Sequence, residues 1–309
     1  MRTRFVESLV SLAAADERIL LLTGDLGYMA LEPFRDRFPS RFLNAGVAEQ
    51  NLVSVATGLA DAGYIPFAYS IAPFASLRPF EFIRNGPVHH QLPVRIVGMG
   101  MGLDYGLSGP THYGTEDVAA LRTLPGLRII IPADARQVTR ALEVTWNLPG
   151  RAYYSLSKDD RLHLPGLDGR FELGRLQVVR HGGDLAIVAM GSIAVEAEAA
   201  AAEIAARGID ATVAVVSSFQ PEPTADVLEL LSAFSNVVSV EAQAISGGLA
   251  AFLATAITEN GLRCRLWPRA VRSRHDGSSG STADRWRKYG LDRHSIAETA
   301  IRAYGGGLT

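Results

Sequence analysis

The sequence predicts an α/β protein of two successive α/β domains, each built on a mostly parallel sheet, and three observations predict it. Short apolar runs alternate with helical patterns along the whole chain. Most of those runs are continuous rather than alternating in hydrophobicity, as in strands covered on both faces. A length of 309 residues, 48% hydrophobic and 20% charged, suits two domains better than one.

The opening segment MRTRFVESLVSLAAADERIL carries Glu7, Asp16, Glu17 and Arg18. It reads as an amphipathic helix and lacks the long apolar core of a signal peptide. Candidate strands of the first domain are Arg18–Thr23, Arg41–Asn44, Ile65–Tyr69, Val94–Gly98, Leu127–Ile131 and Ala152–Leu156. Helices fall between them at Leu31–Phe38, Glu49–Ala62, Phe74–Asn85, Thr115–Thr123 and Asp134–Asn147. The polar stretch SKDDRLHLPGLDGRFELGR (157–175) has no sustained period and reads as a linker. The expected division is 1–165 for the first domain, 166–180 for the linker and 181–309 for the second domain. Strands resume at Leu185–Ala189, Thr212–Val216, Val237–Val240 and Arg263–Leu266. The Ala-rich Ile193–Ala206 is a helix by propensity, ends near Gly208, and reads as a packing element without chemistry.

Composition excludes several classes of function. Lys plus Arg (30) nearly balance Asp plus Glu (32), net charge −2, with no charged block to attract nucleic acid or a membrane surface. The single cysteine, Cys264, allows no internal disulfide, fits a reducing compartment, and reads as a small hydrophobe in a strand. No apolar run reaches the roughly 20 residues that span a bilayer, so a cytoplasmic protein is expected. There is no HExxH, no Cys pair and no EF-hand spacing, hence no metal constellation. No GxSxG elbow offers a nucleophilic serine.

Ligands of open parallel sheets bind at the carboxyl ends of the strands. The loops there are GDLG (24–27), NAGVAEQN (44–51), AYSIAPF (68–74), GMGMGLDYGLSGPTHYG (98–114) and SLSKDD (155–160). Glu49 follows Ala45–Ala48, a small apolar stretch that reads as buried, and opens a helix whose dipole favours an anion. A first-turn Glu satisfied by free backbone N–H groups is the plain alternative. The flanking Val47, Ala48, Leu52, Val53, Ala56 and Gly58 leave little room for solvent. A carboxylate desolvated there must share a proton or meet a cationic or N–H-bearing partner, such as a ligand nitrogen. The loop 98–114 holds six glycines and lets backbone approach a ligand closely. It is neither a P-loop nor the dinucleotide fingerprint. His112 at its mouth reads as either a functional group or an ordinary surface residue. His89 and His90 end a helical stretch near the opposite edge and read as partners of a helix C-terminus.

The stretch FLNAGVAEQNLVSVATGLADAGYIPFAYSIAPFASLRPFEFIRN, with GLSGPTH, LPGLRIIIPADA, VVSVEAQAISGGLAAFLA and GSSGSTADRWRKYGLDRHSIAETAI, resembles the C-terminal half of transketolases. That half comprises the thiamine diphosphate pyrimidine-binding domain and the transketolase C-terminal domain. In this family the glutamate matching Glu49 hydrogen-bonds the aminopyrimidine nitrogen of thiamine diphosphate and promotes proton loss from the thiazolium carbon. The resemblance puts Phe74 where an aromatic ring stacks on the pyrimidine, Asp25 near the thiazolium end, and Ile71 where an aromatic is frequent. His112 matches a cleft histidine that contacts substrate or stabilises the developing oxyanion.

The family's GDG…N motif, which holds the metal and the phosphates, has no counterpart in this chain. The resemblance therefore implies one subunit of a split enzyme, inactive alone. An N-terminal transketolase-like partner would bind the diphosphate and Mg²⁺ or Ca²⁺ in an α2β2 assembly. Three positions depart from the usual pattern: Gly100 for a histidine, Ser108 for an aspartate, and Lys158 for a phosphate-binding arginine. The first two would touch sugar hydroxyls; Lys158 could bind phosphate as a point charge without the bidentate fork. A specialised transfer of a two-carbon ketol or acyl unit to a carbonyl acceptor, in carbohydrate or secondary metabolism, is the leading expectation. The alternatives are a beta subunit of a 2-oxo-acid or acetoin dehydrogenase and a non-catalytic regulatory homologue.

Overall fold

The computed structural model describes residues 1–272 and 276–306. The first part of the chain runs α1 (Arg2–Ala15), β1 (Ile19–Thr23), α2 (Glu32–Arg37), β2 (Phe42–Asn44), α3 (Glu49–Asp61), β3 (Ile65–Ile71), α4 (Ala72–Ser76), α5 (Phe80–Ile83), β4 (Arg95–Met99), α6 (Asp117–Leu121), β5 (Arg128–Ile130), α7 (Ala135–Thr145) and β6 (Ala152–Leu156). The second runs β7 (Leu176–Arg180), β8 (Leu185–Met190), α8 (Ala194–Ala205), β9 (Ala211–Val216), β10 (Ser218–Gln220), α9 (Thr224–Ala233), β11 (Asn236–Ala244), α10 (Leu249–Glu259), β12 (Arg265–Val271), α11 (Thr282–Lys288) and α12 (Arg293–Tyr304).

Two mostly parallel sheets result, as predicted. The seven-stranded sheet has the order β10-β5-β6-β4-β3-β1-β2, and the five-stranded sheet β12-β11-β8-β9-β7. The continuous apolar runs explain themselves in β1, where all five residues are buried. Ile19 and Leu21 pack into the cluster that includes α1 and α7, while Leu20 and Leu22 enter the cluster on the other face, with Leu52 and Val53 of α3. With both faces covered, no polar residue is called for at alternate positions.

From β1 the chain winds outward to β2, returns through α3 to β3 on the other flank of β1, and continues to β4. The winding direction reverses between β1 and β3, and the crevice at such a reversal is where open α/β sheets take ligands.

Several expectations change. The helix expected over Phe74–Asn85 is broken into α4, α5 and a π-turn at Arg84–Val88. Pro79 and Pro87 lack the N–H that a continuous helix needs. Leu176–Arg180, within the stretch expected as linker, forms β7 and pairs antiparallel with β9. The short β10, unseen in the sequence, crosses from the second part of the chain to pair antiparallel with β5. Cys264 is buried but lies one residue before β12. Among the described residues no helix is long and apolar enough to cross a membrane.

Candidate active site

Glu49, the first residue of α3, is 1% exposed. Its carboxylate does not cap its own helix. Oε1 accepts from the Ser70 hydroxyl on β3 (2.9 Å) and Oε2 from Nη1 of Arg78 (2.5 Å). Gly24, just past β1, approaches so closely that a β-carbon there would lie 3.4 Å from Oε1. The carboxylate therefore occupies the β1/β3 crevice, its charge met by the cation expected for a desolvated acid. The sequence misjudged its surroundings in one respect. Val47 is 73% exposed, and Ala45, Gly46, Ala48 and Gly58 are not buried either. Burial comes from the strand ends and from Leu52, Val53 and Ala56 behind.

Arg78 was missed by sequence reasoning, although the following proline marks a helix break. The break between α4 and α5 leaves Arg78 outside any helix. Its guanidinium lies over the Phe74 ring, 4.5 Å from the centroid. Phe74 also meets the His112 ring edge-on at 5.1 Å. Ile71, 7% exposed, ends β3 just ahead of them. Glu49, Ile71, Phe74 and His112 are thus brought into one neighbourhood. Asp25 is placed beside it on the loop after β1, solvent-exposed and at φ 59°. Asn44 secures that loop: its Nδ2 donates to Asp25 Oδ1 (2.9 Å), and its Oδ1 accepts from the N–H groups of Asp25 and Gly46 (3.0 Å each).

The glycine-rich loop owes its composition to packing against the protein itself. A β-carbon on Gly102 would meet that of Ala242 at 2.7 Å, and one on Gly114 would meet that of Ala72 at 2.8 Å. The loop is thereby clamped between the first domain and β11. His112 ends in a 3₁₀ turn, Pro110–His112, with Nδ1 3.0 Å from the Thr111 hydroxyl. Ser108 is exposed. Lys158 sets its ammonium over the Tyr105 ring, 4.6 Å from the centroid, and its backbone N–H donates to Asp104. Lys158, Tyr105, Ser157, Arg2 and Arg161 line a cleft of ≈ 620 Å³.

Two buried aspartates escaped the sequence reading. Burial pushes Asp104 up to about 6 and Asp117 up to about 6, against the hydrogen bonds that favour their charged forms. Asp117 accepts from the hydroxyls of Tyr153 (2.7 Å) and Ser155 (2.9 Å). Ser155 is aligned with Gly98 of β4, and Gly98 with Ser70 of β3, so Asp117 braces the sheet two strands from Glu49. Among the described residues no three His, Cys, Asp or Glu side chains gather to hold a metal ion.

The buried acid, the aromatic ring beside it and the apolar Ile71 fit a flat, N–H-bearing heterocycle better than a sugar or a phosphate. Residues 1–159 match the transketolase pyrimidine-binding domain and residues 174–296 the transketolase C-terminal domain. The chain is 33% identical to the putative transketolase C-terminal section of Methanocaldococcus jannaschii, over 96% of this chain and 94% of that protein. It is equally 33% identical to a 6-deoxy-6-sulfo-D-fructose transketolase subunit of Clostridium sp., over 97% and 93%. Against an apulose-4-phosphate transketolase subunit of Phocaeicola vulgatus the identity is 30%, over 97% and 96%. Among solved structures, a split-gene transketolase described as an inactive beta4 tetramer superposes with a TM-score of 0.87 at 31% identity, covering 98% of this chain and 97% of that one. Transketolase from Leishmania mexicana shares the fold (TM-score 0.83, 22% identity) across all of this chain but 46% of its own. The chain belongs to the transketolase family, with a pyrimidine-binding domain joined to a transketolase C-terminal domain.

Proposed function

We propose that this chain is the pyrimidine-binding subunit of a split, thiamine diphosphate-dependent transferase moving a two-carbon unit between sugars. The carrying observation is Glu49: an acid 1% exposed whose Oε2 partner is a side chain, Arg78, that is 37% exposed and able to leave. Bound in the crevice, thiamine diphosphate would supply a nucleophilic carbon that takes up the two-carbon unit. Glu49 would hold the proton on the aminopyrimidine nitrogen, Ser70 would fix the carboxylate's rotamer, and Phe74 and Ile71 would pack on the ring. His112, held by Thr111, would donate to oxygen charge developing on the substrate. Asp25, aligned by Asn44, would face the other end of the cofactor. Lys158 would take the acidic end of the sugar.

A second chain would complete the site by binding the diphosphate with Mg²⁺ or Ca²⁺. Large apolar side chains on the carboxyl-edge loops support this: Tyr28 (84% exposed), Met29, Val47, Leu77 and Leu107. A monomer rarely exposes such groups around one mouth without a partner. Relatives named for a sulfofructose and for apulose 4-phosphate, together with Gly100 and Ser108, favour a non-standard sugar. Titrating the chain with its diphosphate-binding partner, cofactor and Mg²⁺ tests the reading. Ketose-dependent turnover should rise and saturate at equal stoichiometry. Turnover by the isolated chain, or turnover of pyruvate with a lipoyl acceptor but of no ketose, would overturn it.

A further inference from the structure

Position 100 is glycine, at a place that the resemblance to transketolases pairs with a histidine expected to touch sugar hydroxyls. Its φ is +84°, and a β-carbon built there would lie well under 3.0 Å from Cδ2 and Cε2 of Tyr105. A side chain at 100 and the Tyr105 ring therefore exclude one another.

The ring's place is built from both sides. Asp104, before it, is 5% exposed and accepts the Lys158 backbone N–H on Oδ2 (3.0 Å). Gly106, after it, packs on the second domain so tightly that a β-carbon would collide with the Gly280 carbonyl oxygen, while the Gly280 N–H donates to Gly106 O at 3.1 Å. The Tyr105 carbonyl accepts from the Ser108 N–H (2.8 Å). The ring then lies 6.0 Å from the His112 ring and under the Lys158 ammonium. Its phenol borders the cleft of ≈ 620 Å³ and makes no hydrogen bond to any described residue. Burial raises the phenol's pKa, so it remains an O–H donor at neutral pH.

We infer that Tyr105 sets donor specificity: its phenol binds a hydroxyl of an anionic ketose from the place an imidazole at 100 would serve, and its ring positions Lys158 for the acidic end. This rests on the two-carbon-transfer reading above.

The test uses the reconstituted pair with cofactor and Mg²⁺, xylulose 5-phosphate and fructose 6-phosphate as donors, and ribose 5-phosphate as acceptor. Four variants are compared: Tyr105→Phe, Tyr105→Ala, Gly100→His and Gly100→His/Tyr105→Ala. Gly100→His alone should lower the melting temperature, and adding Tyr105→Ala should restore part of it. The positive-φ strain is common to both, so the difference reads the ring clash. The double variant should gain about tenfold in kcat/KM for xylulose 5-phosphate over wild type, the scale of one hydrogen bond. Tyr105→Phe should change the ratio of the two donors' kcat/KM several-fold without moving the melting temperature or thiamine diphosphate affinity. Unaltered donor ratios in Tyr105→Phe with no gain in the double variant would overturn the inference while leaving the enzyme reading intact. Failure of the wild-type pair to bind thiamine diphosphate, seen by calorimetry, would overturn both.

Discussion

Glu49 and Glu241 are 1% and 0% exposed, each beside the first turn of a helix behind the carboxyl edge of its sheet. Glu241, on β11, spends both carboxylate oxygens on backbone, accepting from the N–H groups of Leu249 (2.7 Å) and Ala250 (2.9 Å) at the start of α10. Glu49 leaves the backbone of α3 alone and takes Ser70 and a half-exposed Arg78 instead. Backbone donors cannot swing away, so Glu241 is fixed as a helix cap. Arg78 can rotate out, so Glu49 has one oxygen that another donor can claim. Burial does not distinguish a structural acid from a reactive one; the exchangeability of its partners does.

The sharpest way to break the comparison is Glu49→Gln. It keeps the side chain's shape and one acceptor oxygen, gives up the acceptor that faces a donor on Ser70 or Arg78, and cannot carry a proton to and from a ring nitrogen. In the reconstituted enzyme kcat should fall about 10²- to 10⁴-fold, with the melting temperature little changed. Turnover close to wild type would make Glu49 another Glu241.

The pH dependence of stability is the next largest effect and belongs to the other acid. Burial raises Glu241 from 4.5 to about 7. The folded chain thus holds this proton at pH values where the unfolded chain has lost it. Its stabilising contribution is complete below about pH 4.5 and is lost as pH rises through about 7. The difference is at most on the order of 3 kcal/mol. Asp104 and Asp117, raised to about 6, act in the same direction. Melting temperature should therefore decline between pH 5 and pH 7.5, and Glu241→Gln should flatten that decline. A wild-type profile that climbs over this range would refute the assignment.

The sequence made the parallel sheets legible because buried strands read as unbroken apolar runs, and β6 was placed to the residue. It could not show β10, three residues whose pairing partner β5 lies far back in the chain, since short edge strands carry no period. GVAEQN located Glu49, yet the partners of that acid come from β3 and from the break after α4. Ser70 hides in an apolar run, and Arg78 looks like a helix-face charge until Pro79 is given its weight. The glycines at 100, 102 and 114 read in the sequence as room for a ligand to approach the backbone. What approaches them is the chain's own Tyr105, Ala242 and Ala72; the two alanines lie far along the chain from the glycines they meet, where no local pattern reaches.

Arg78→Ala sharpens the comparison with a smaller effect whose two components differ in sign. In the crevice the guanidinium is planar, rich in N–H and stacked 4.5 Å from the Phe74 centroid, the features expected of the heterocycle proposed to bind there. Removing it leaves Glu49 with Ser70 as its partner, which costs stability. Since Arg78 is 37% exposed, solvent screening limits that cost to about 1 kcal/mol, well short of a fully buried pair. The same deletion removes a competitor for Oε2 and for the Phe74 face, so thiamine diphosphate should bind the reconstituted pair more tightly, by about tenfold or less. Calorimetric titration of the cofactor and a melting curve without it separate the two components. Weaker cofactor binding in Arg78→Ala would mean that the guanidinium assists the ring rather than yielding to it, and the exchangeable-partner account of Glu49 would fall.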